Sequence, residues 1–221
     1  MDFFVIQSLF ERHANASLAL PMKHYMKDQF DFLGIKTPLR RQLMRQLLLD
    51  PELSAFSAER LVPLVKHLWN APFREYQYLA MDLLDRTIRK AGPQMIEPLE
   101  NMIVLKSWWD TVDMIAGHLV GKLFRQHPEL VDNYVPVWIQ SGNLWLQRTV
   151  LLFQLSYKGS TDENLLFETI LLFAGSKEFF IQKASGWALR EYAKTNPAAV
   201  TLFVNRHTLP SLTRREALKN L

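Results

Sequence analysis

Charged and aromatic residues recur in this chain at a fixed interval. Gln42, Gln77, Val112, Gln147 and Gln182 lie 35 residues apart, and the next position in each step holds Leu43, Tyr78, Asp113, Arg148 and Lys183. Three residues before each stand Leu39, Arg74, Trp109, Leu144 and Phe179; five after stand Leu47, Asp82, Gly117, Leu152 and Trp187. Trp109 and Asp113 are i,i+4 neighbours, and Phe179, Lys183, Trp187 and Arg190 follow an i, i+4, i+8, i+11 stripe, the spacing of one helix face. The register therefore directs one carboxylate (Asp113), two indoles (Trp109 and Trp187) and three cations (Arg148, Lys183, Arg190) to one face, with little bulk at Gly117. Cations of this kind hold phosphates, and flat π surfaces meet a cationic base. A carboxylate among them can stabilise positive charge that develops in a reaction.

The elements that position these residues are helices. Eight glycines punctuate 221 residues, and β-branched runs bounded by turns are hard to find, so sandwiches, barrels and Gly-rich phosphate loops are disfavoured. The neighbourhoods of the register repeat as well: Glu75-Tyr-Gln77-Tyr-Leu-Ala80, Trp145-Leu-Gln147-Arg-Thr-Val150 and Phe180-Ile-Gln182-Lys-Ala-Ser185. A 35-residue period with two helical runs predicts an all-α chain, an α-solenoid of stacked HEAT-like hairpins with about ten or eleven helices and a concave basic groove. The tetratricopeptide Trp-Leu-Gly-Tyr pattern is missing from every unit. Thr37-Pro38, Ala71-Pro72 and Asn196-Pro197 mark helix starts, and Ser107, Asn143, Thr161, Ser176 and Thr213 are N-cap candidates, Thr213 with Glu216 fitting a capping box. No Ser/Gly-rich linker interrupts the chain, which reads as one domain over 1–221, ending after Leu221 inside a helix-like run. The recurring Gln are expected to bridge turns between repeats.

Composition narrows the function. Twenty-six Lys and Arg against 22 Asp and Glu give a net charge of +4 with a pI near 9.3, which permits an anionic partner without requiring one. Lys36, Arg40, Arg41 and Arg45 near the first hairpin, and Arg214 and Arg215 near the last, extend the positive footprint a duplex would need. With no cysteine, disulfides, thiolate metal sites and Cys nucleophiles are excluded. The six His show no i,i+4 pair and no HExxH, so no metal site is expected; His118 is assigned to the core. No secretory or membrane-spanning run is found, and a cytoplasmic location and a monomer are expected. Walker A, GxGxxG, GxSxG and kinase signatures are absent. Gly117-His-Leu-Val-Gly121 reads as a helix-packing GxxxG.

Lys106-Ser-Trp-Trp-Asp-Thr-Val-Asp113, Asn143-Leu-Trp-Leu-Gln-Arg148, the run from Ser176 to Pro197 and Tyr25-Met-Lys-Asp-Gln-Phe-Asp-Phe-Leu-Gly-Ile-Lys-Thr-Pro38 resemble the AlkD family of HEAT-repeat DNA glycosylases, over about residues 20 to 220. The resemblance implies a monofunctional DNA glycosylase that excises positively charged N3- and N7-alkylated purines from double-stranded DNA without a cofactor. It implies that Asp113, Trp109 and Trp187 contact the lesion, and that Tyr25, Arg148, Phe179, Phe180 and Arg190 lie at or near the DNA, with Lys183 joining them from the register. Lys36 and Ser156 depart from the Gln and Lys of the family pattern.

Two readings of Asp113 and Arg148 stand side by side. They are a catalytic carboxylate and a phosphate clamp, or a buried ion pair that fixes the stacking of hairpins. Trp108, Trp145 and Phe180 are expected in the core on spacing alone, with only one of Trp108 and Trp109 facing the groove. A non-catalytic HEAT scaffold, or a DNA-structure binder without excision, is the alternative to the enzyme.

Overall fold

The computed structural model describes residues 3–219. It is helical throughout, with a lone β-bridge between Asp31 and Phe73 among the described residues. Packing divides the chain into two compact units, Met1–Pro98 and Leu99–Leu221. Both are built from stacked helical hairpins, the α-solenoid arrangement that the 35-residue register predicts.

The first unit runs through α1 (Phe3–Glu11), α2 (Ala16–Tyr25), α3 (Thr37–Leu47), α4 (Pro51–Ser54), α5 (Ala58–Asn70) and α6 (Arg74–Thr87), and the unit boundary falls in α7 (Ile96–Val104). The second holds α8 (Trp109–Met114), α9 (Gly121–Gln126), α10 (Glu129–Gln140), α11 (Leu144–Leu152), α12 (Glu163–Leu172), α13 (Phe179–Ala193), α14 (Pro197–Arg206) and α15 (Ser211–Ala217). These segments outnumber the helices expected, in part because α4 is a single turn and a π segment, Ile115–Val120, separates α8 from α9. Residues 220 and 221, the end of the run that closes the sequence, lie outside the described residues.

Local rules account for several helix starts. Asn15, Asp50, Ser57, Asn143 and Asn196 each turn a side-chain oxygen onto a backbone N–H of the first turn. Other starts move. Asp162, not Thr161, caps α12, and α6 begins at Arg74, two residues after Pro72. Ser107 donates to the Ile103 carbonyl and Ser176 accepts from the Glu178 N–H, so both lie just ahead of the helices they were expected to cap. Thr213 lies inside α15 and is buried, donating to the Gln182 carbonyl at 3.1 Å; the capping box with Glu216 does not form.

Three of the four repeated Gln behave as expected. Gln77 Nε2 donates to the carbonyls of Leu68, Trp69 and Ala71, Gln147 to Ile139, and Gln182 to Ser176. A carboxamide at this register reaches back to carbonyls that the preceding helix or turn leaves without an N–H donor. Gln42 is exposed.

In the first unit the buried Glu75 carboxylate accepts the backbone N–H groups of Leu33, Gly34 and Ile35 at 2.9, 2.9 and 3.0 Å. Gly34 takes φ +86°, and a Cβ there would fall on the Asn15 carbonyl. Arg40, assigned to the positive footprint, is instead buried: its Nε lies 3.0 Å from Asp82 and its guanidinium stacks on Tyr78. Burial without a partner would be far costlier than this pairing. Lys36, Arg41 and Arg45 are exposed.

In the second unit Gly121 sits against the end of α11. A Cβ at Gly121 would lie 2.4 Å from the Phe153 carbonyl oxygen, whereas one at Gly117 would meet Leu155 at an ordinary 3.7 Å. Only the second glycine of the GxxxG is required for close packing. Gly121→Ala is expected to cost about 1–3 kcal/mol through overpacking, lowering Tm by roughly 2–12 °C for a chain of this size. Gly117→Ala should leave Tm unchanged or raise it, and equal losses for the two by calorimetry would refute the packing argument. His118 lies off the apolar stripe of Val112, Ile115 and Leu119 and is exposed, not in the core as assigned. No helix among the described residues is long and apolar enough to cross a membrane.

Candidate functional site

Helix α11 packs against α8 and the π segment on one side and against α13 on the other. The register places Arg148 at the middle of that stack, and the structure makes it the hub. Its Nε lies 2.6 Å from Asp113 Oδ1 and its Nη2 2.9 Å from Oδ2, a two-point pairing, while Nη1 donates to the Phe180 carbonyl. One guanidinium thus ties α8, α11 and α13 together. Its planar fork suits this geometry, which a lysine could not reproduce.

Asp113 keeps 16% of its side-chain surface exposed and Arg148 6%. Burial pushes the Asp113 carboxyl above its ordinary range, and the Arg148 hydrogen bonds and charge pull the other way. The inter-repeat ion pair is therefore present. It does not exclude chemistry, because the side chain is not fully sealed and each of the carboxylate oxygens retains a lone pair.

The aromatic residues fall into two sets, and Trp108, Trp145 and Phe180, expected in the core, are half-buried instead. Trp108, Trp145 and Phe180 form a cluster with ring centroids 5.1 to 5.7 Å apart, and Phe179 meets Phe180 edge-on at 5.4 Å. Phe180 also lies 5.7 Å from the Arg148 guanidinium. This cluster fixes the backbone carbonyl that holds Arg148. The Trp108 indole N–H is buried with no hydrogen-bond partner. Phe179 is exposed, and Trp109 and Trp187 are partly exposed, Trp187 resting on the core of the second unit. Tyr25, at the end of α2 in the first unit, is exposed.

The two cations of α13 have a partner that the periodicity did not supply. Lys183 Nζ lies 3.0 Å from Glu216 Oε1, and Arg190 Nη1 2.8 Å from Oε2. These hydrogen bonds, that from Lys183 foremost, hold the Glu216 carboxyl below its ordinary range against the effect of burial. Sequence reasoning placed Glu216 in a local capping box and so missed it; no signal within four residues of it points to α13. Arg214 is likewise occupied, donating to the Val204 carbonyl and Asn205 Oδ1 at the end of α14, while Arg215 is exposed. Glu191 pairs with Lys194 at 2.6 Å, and Glu178 is exposed.

The second unit thus presents a carboxylate paired to an arginine, a second carboxylate beneath two cations, and partly exposed indoles on the helices that carry them. Such a face can bind an anionic polymer and place a negative charge beside a cationic centre. The model of the DNA alkylation repair enzyme family matches residues 6–221. A solved structure described as a "Predicted DNA alkylation repair enzyme from Enterococcus faecalis" superposes with a TM-score of 0.86 at 34% sequence identity, covering 94% of this chain and 96% of that one. No curated protein matches the sequence.

Proposed function

Since the chain belongs to the DNA alkylation repair enzyme family, we propose that it is a monofunctional DNA glycosylase that hydrolyses the N-glycosidic bond of N3- and N7-alkylated purines in double-stranded DNA. The observation that carries the proposal is the Asp113–Arg148 pair: a carboxylate on a side chain that keeps 16% of its surface exposed, one helical turn after Trp109, with its partner bonded to α8 and α13 from α11. Alkylation at N3 or N7 already makes the purine a cationic leaving group. No general acid is needed.

The protein's work is to stabilise charge as it moves toward the sugar and to orient a water for attack at C1′. Asp113 serves both. Trp109 and Trp187 flank the lesion or its deoxyribose, each adding about 0.5–2 kcal/mol by cation–π contact that exists only while the charge does. This favours cationic lesions over normal bases. Arg148, Lys183 and Arg190 hold phosphates, Tyr25, Phe179 and Phe180 lie along the DNA, and each phosphate contact removed should lower the salt slope of binding by about one. The reaction calls for no cofactor or metal, and the protein works as a cytoplasmic monomer.

A specific observation favours a second reading. Both oxygens of Asp113 are already engaged by Arg148, as a purely structural pair would require, leaving a DNA binder without excision. Incubation with N-methylated duplex separates the two. The glycosylase is expected to release 3-methyladenine or 7-methylguanine and leave alkali-labile sites at a rate well above the uncatalysed background. Salt-sensitive duplex binding without base release would establish the binder instead, and neither activity would leave a scaffold.

A further inference from the structure

We infer that Glu216 is a positioning residue that sets Lys183 and Arg190 as the two arms of one anion-binding fork, a role resting on the reading of this face as a DNA phosphate site. Lys183 and Arg190 are seven residues apart, so they lie on the same stripe of α13 about two turns apart along its axis. Two like charges so placed repel, and each long side chain is otherwise free to turn into solvent. The Glu216 carboxylate lies between them and gives one oxygen to each, at 3.0 and 2.8 Å.

The three side chains are graded in depth. Glu216 is 10% exposed, Arg190 22% and Lys183 38%, so the anion forms the base and the cations reach outward. The base is itself fixed from below. A Cβ on Gly186 would lie 2.6 Å from Glu216 Cβ and 2.7 Å from the Thr213 carbonyl oxygen, so the absence of a side chain there lets α15 seat directly on α13. Thr213 adds its hydrogen bond to the Gln182 carbonyl. The stem of Glu216 therefore has a set origin.

The fork stays functional because Glu216 takes few of its donors. Lys183 uses one of three N–H groups on it and Arg190 one of five. The group carries two positive charges and one negative, so it attracts a phosphate while its arms are already placed. Preorganisation of this kind is what a reacting duplex needs to be held in one pose.

Glu216→Gln tests this. It removes the negative charge and leaves the side-chain length. Binding of undamaged duplex is expected to hold or tighten at low salt, with a log–log salt slope steeper by up to about one. Single-turnover base release at saturating protein is expected to fall about five- to tenfold, because the arms are no longer held. In a Lys183→Gln/Arg190→Gln background the same substitution should change neither quantity. Glu216→Asp keeps the charge and shortens the stem; it should leave the salt slope alone and still slow release at least twofold.

Wild-type values for slope and release in Glu216→Gln, or an effect undiminished in the double background, would overturn the inference, as would wild-type release in Glu216→Asp. If the wild type itself shows no salt-dependent duplex binding, the reading of the face fails first and takes the inference with it. That result is distinct, since it appears before any substitution is made.

Discussion

Asp113→Asn should slow release of 7-methylguanine from methylated duplex by roughly twenty- to a thousandfold without weakening DNA binding. The range follows from the charges. A carboxylate about 4 Å from the charge developing on the sugar interacts by roughly 4 kcal/mol at an effective dielectric near 20, worth about a thousandfold in rate. Arg148 opposes it. With the guanidinium about 3 Å farther away, the net interaction falls to roughly 2 kcal/mol, about twenty- to thirtyfold. The upper end applies where a DNA phosphate shares the Arg148 charge. Because Asp113 neutralises Arg148 in the free protein, the substitution also liberates a cation, so duplex affinity should hold or increase and the salt slope should steepen by up to about one. Single-turnover rates at saturating protein, measured below the variant's own melting transition, isolate the chemistry. Release at the wild-type rate would leave Asp113 with a structural role alone.

Arg148→Met should produce the largest loss of stability and a displaced pH profile. Removing one partner of a buried pair costs about 3–5 kcal/mol, because the other charge stays behind without compensation, which corresponds to a fall in Tm of roughly 6–20 °C here. The Asp113→Asn/Arg148→Met double variant should lose less than the sum of the single losses, as interacting residues do.

The pH effect has a definite sign. Burial raises the Asp113 carboxyl in the folded protein above its unfolded value, so the folded state binds the proton more tightly. The group's contribution to stability then declines as pH rises from the ordinary aspartate range through the raised folded value, and is a constant penalty above it. The proposed role of Asp113 needs the ionised form. The acid limb of the second-order rate constant for base release should thus lie above the ordinary aspartate range, and in Arg148→Met, where the lowering influence is gone, it should move to still higher pH. An acid limb that ignores Arg148 belongs to another group.

The helices and their order were legible in the residues because the forces that set them act over a few positions. Apolar spacing, N-caps such as Asn143 and Asn196, and prolines at first turns work through hydrogen bonds and contacts within about four residues. The repeat extended that reach. A period of 35 residues by itself brings Asp113 opposite Arg148, and the same register sets Gln77 and Gln147 to bridge back to the helices before them.

Partner choice among charges lay beyond such reasoning. Glu216 satisfied a local capping pattern, yet its carboxylate belongs to Lys183 and Arg190, and Arg40 looked like a surface cation but is buried against Asp82. Periodicity says which face a side chain occupies. It does not say which of several charges on neighbouring helices reaches that face, how deeply the pair is desolvated, or whether a π segment intervenes, as it does after Met114. Those outcomes depend on competition between partners 26 to 42 residues apart in sequence, decided by differences of an ångström in helix approach such as the one Gly186 permits. An all-helical repeat and a facing acid and arginine are thus written in the chain's spacing, while the depth of that pair and the hold of Glu216 on the α13 cations arise only once the helices are packed.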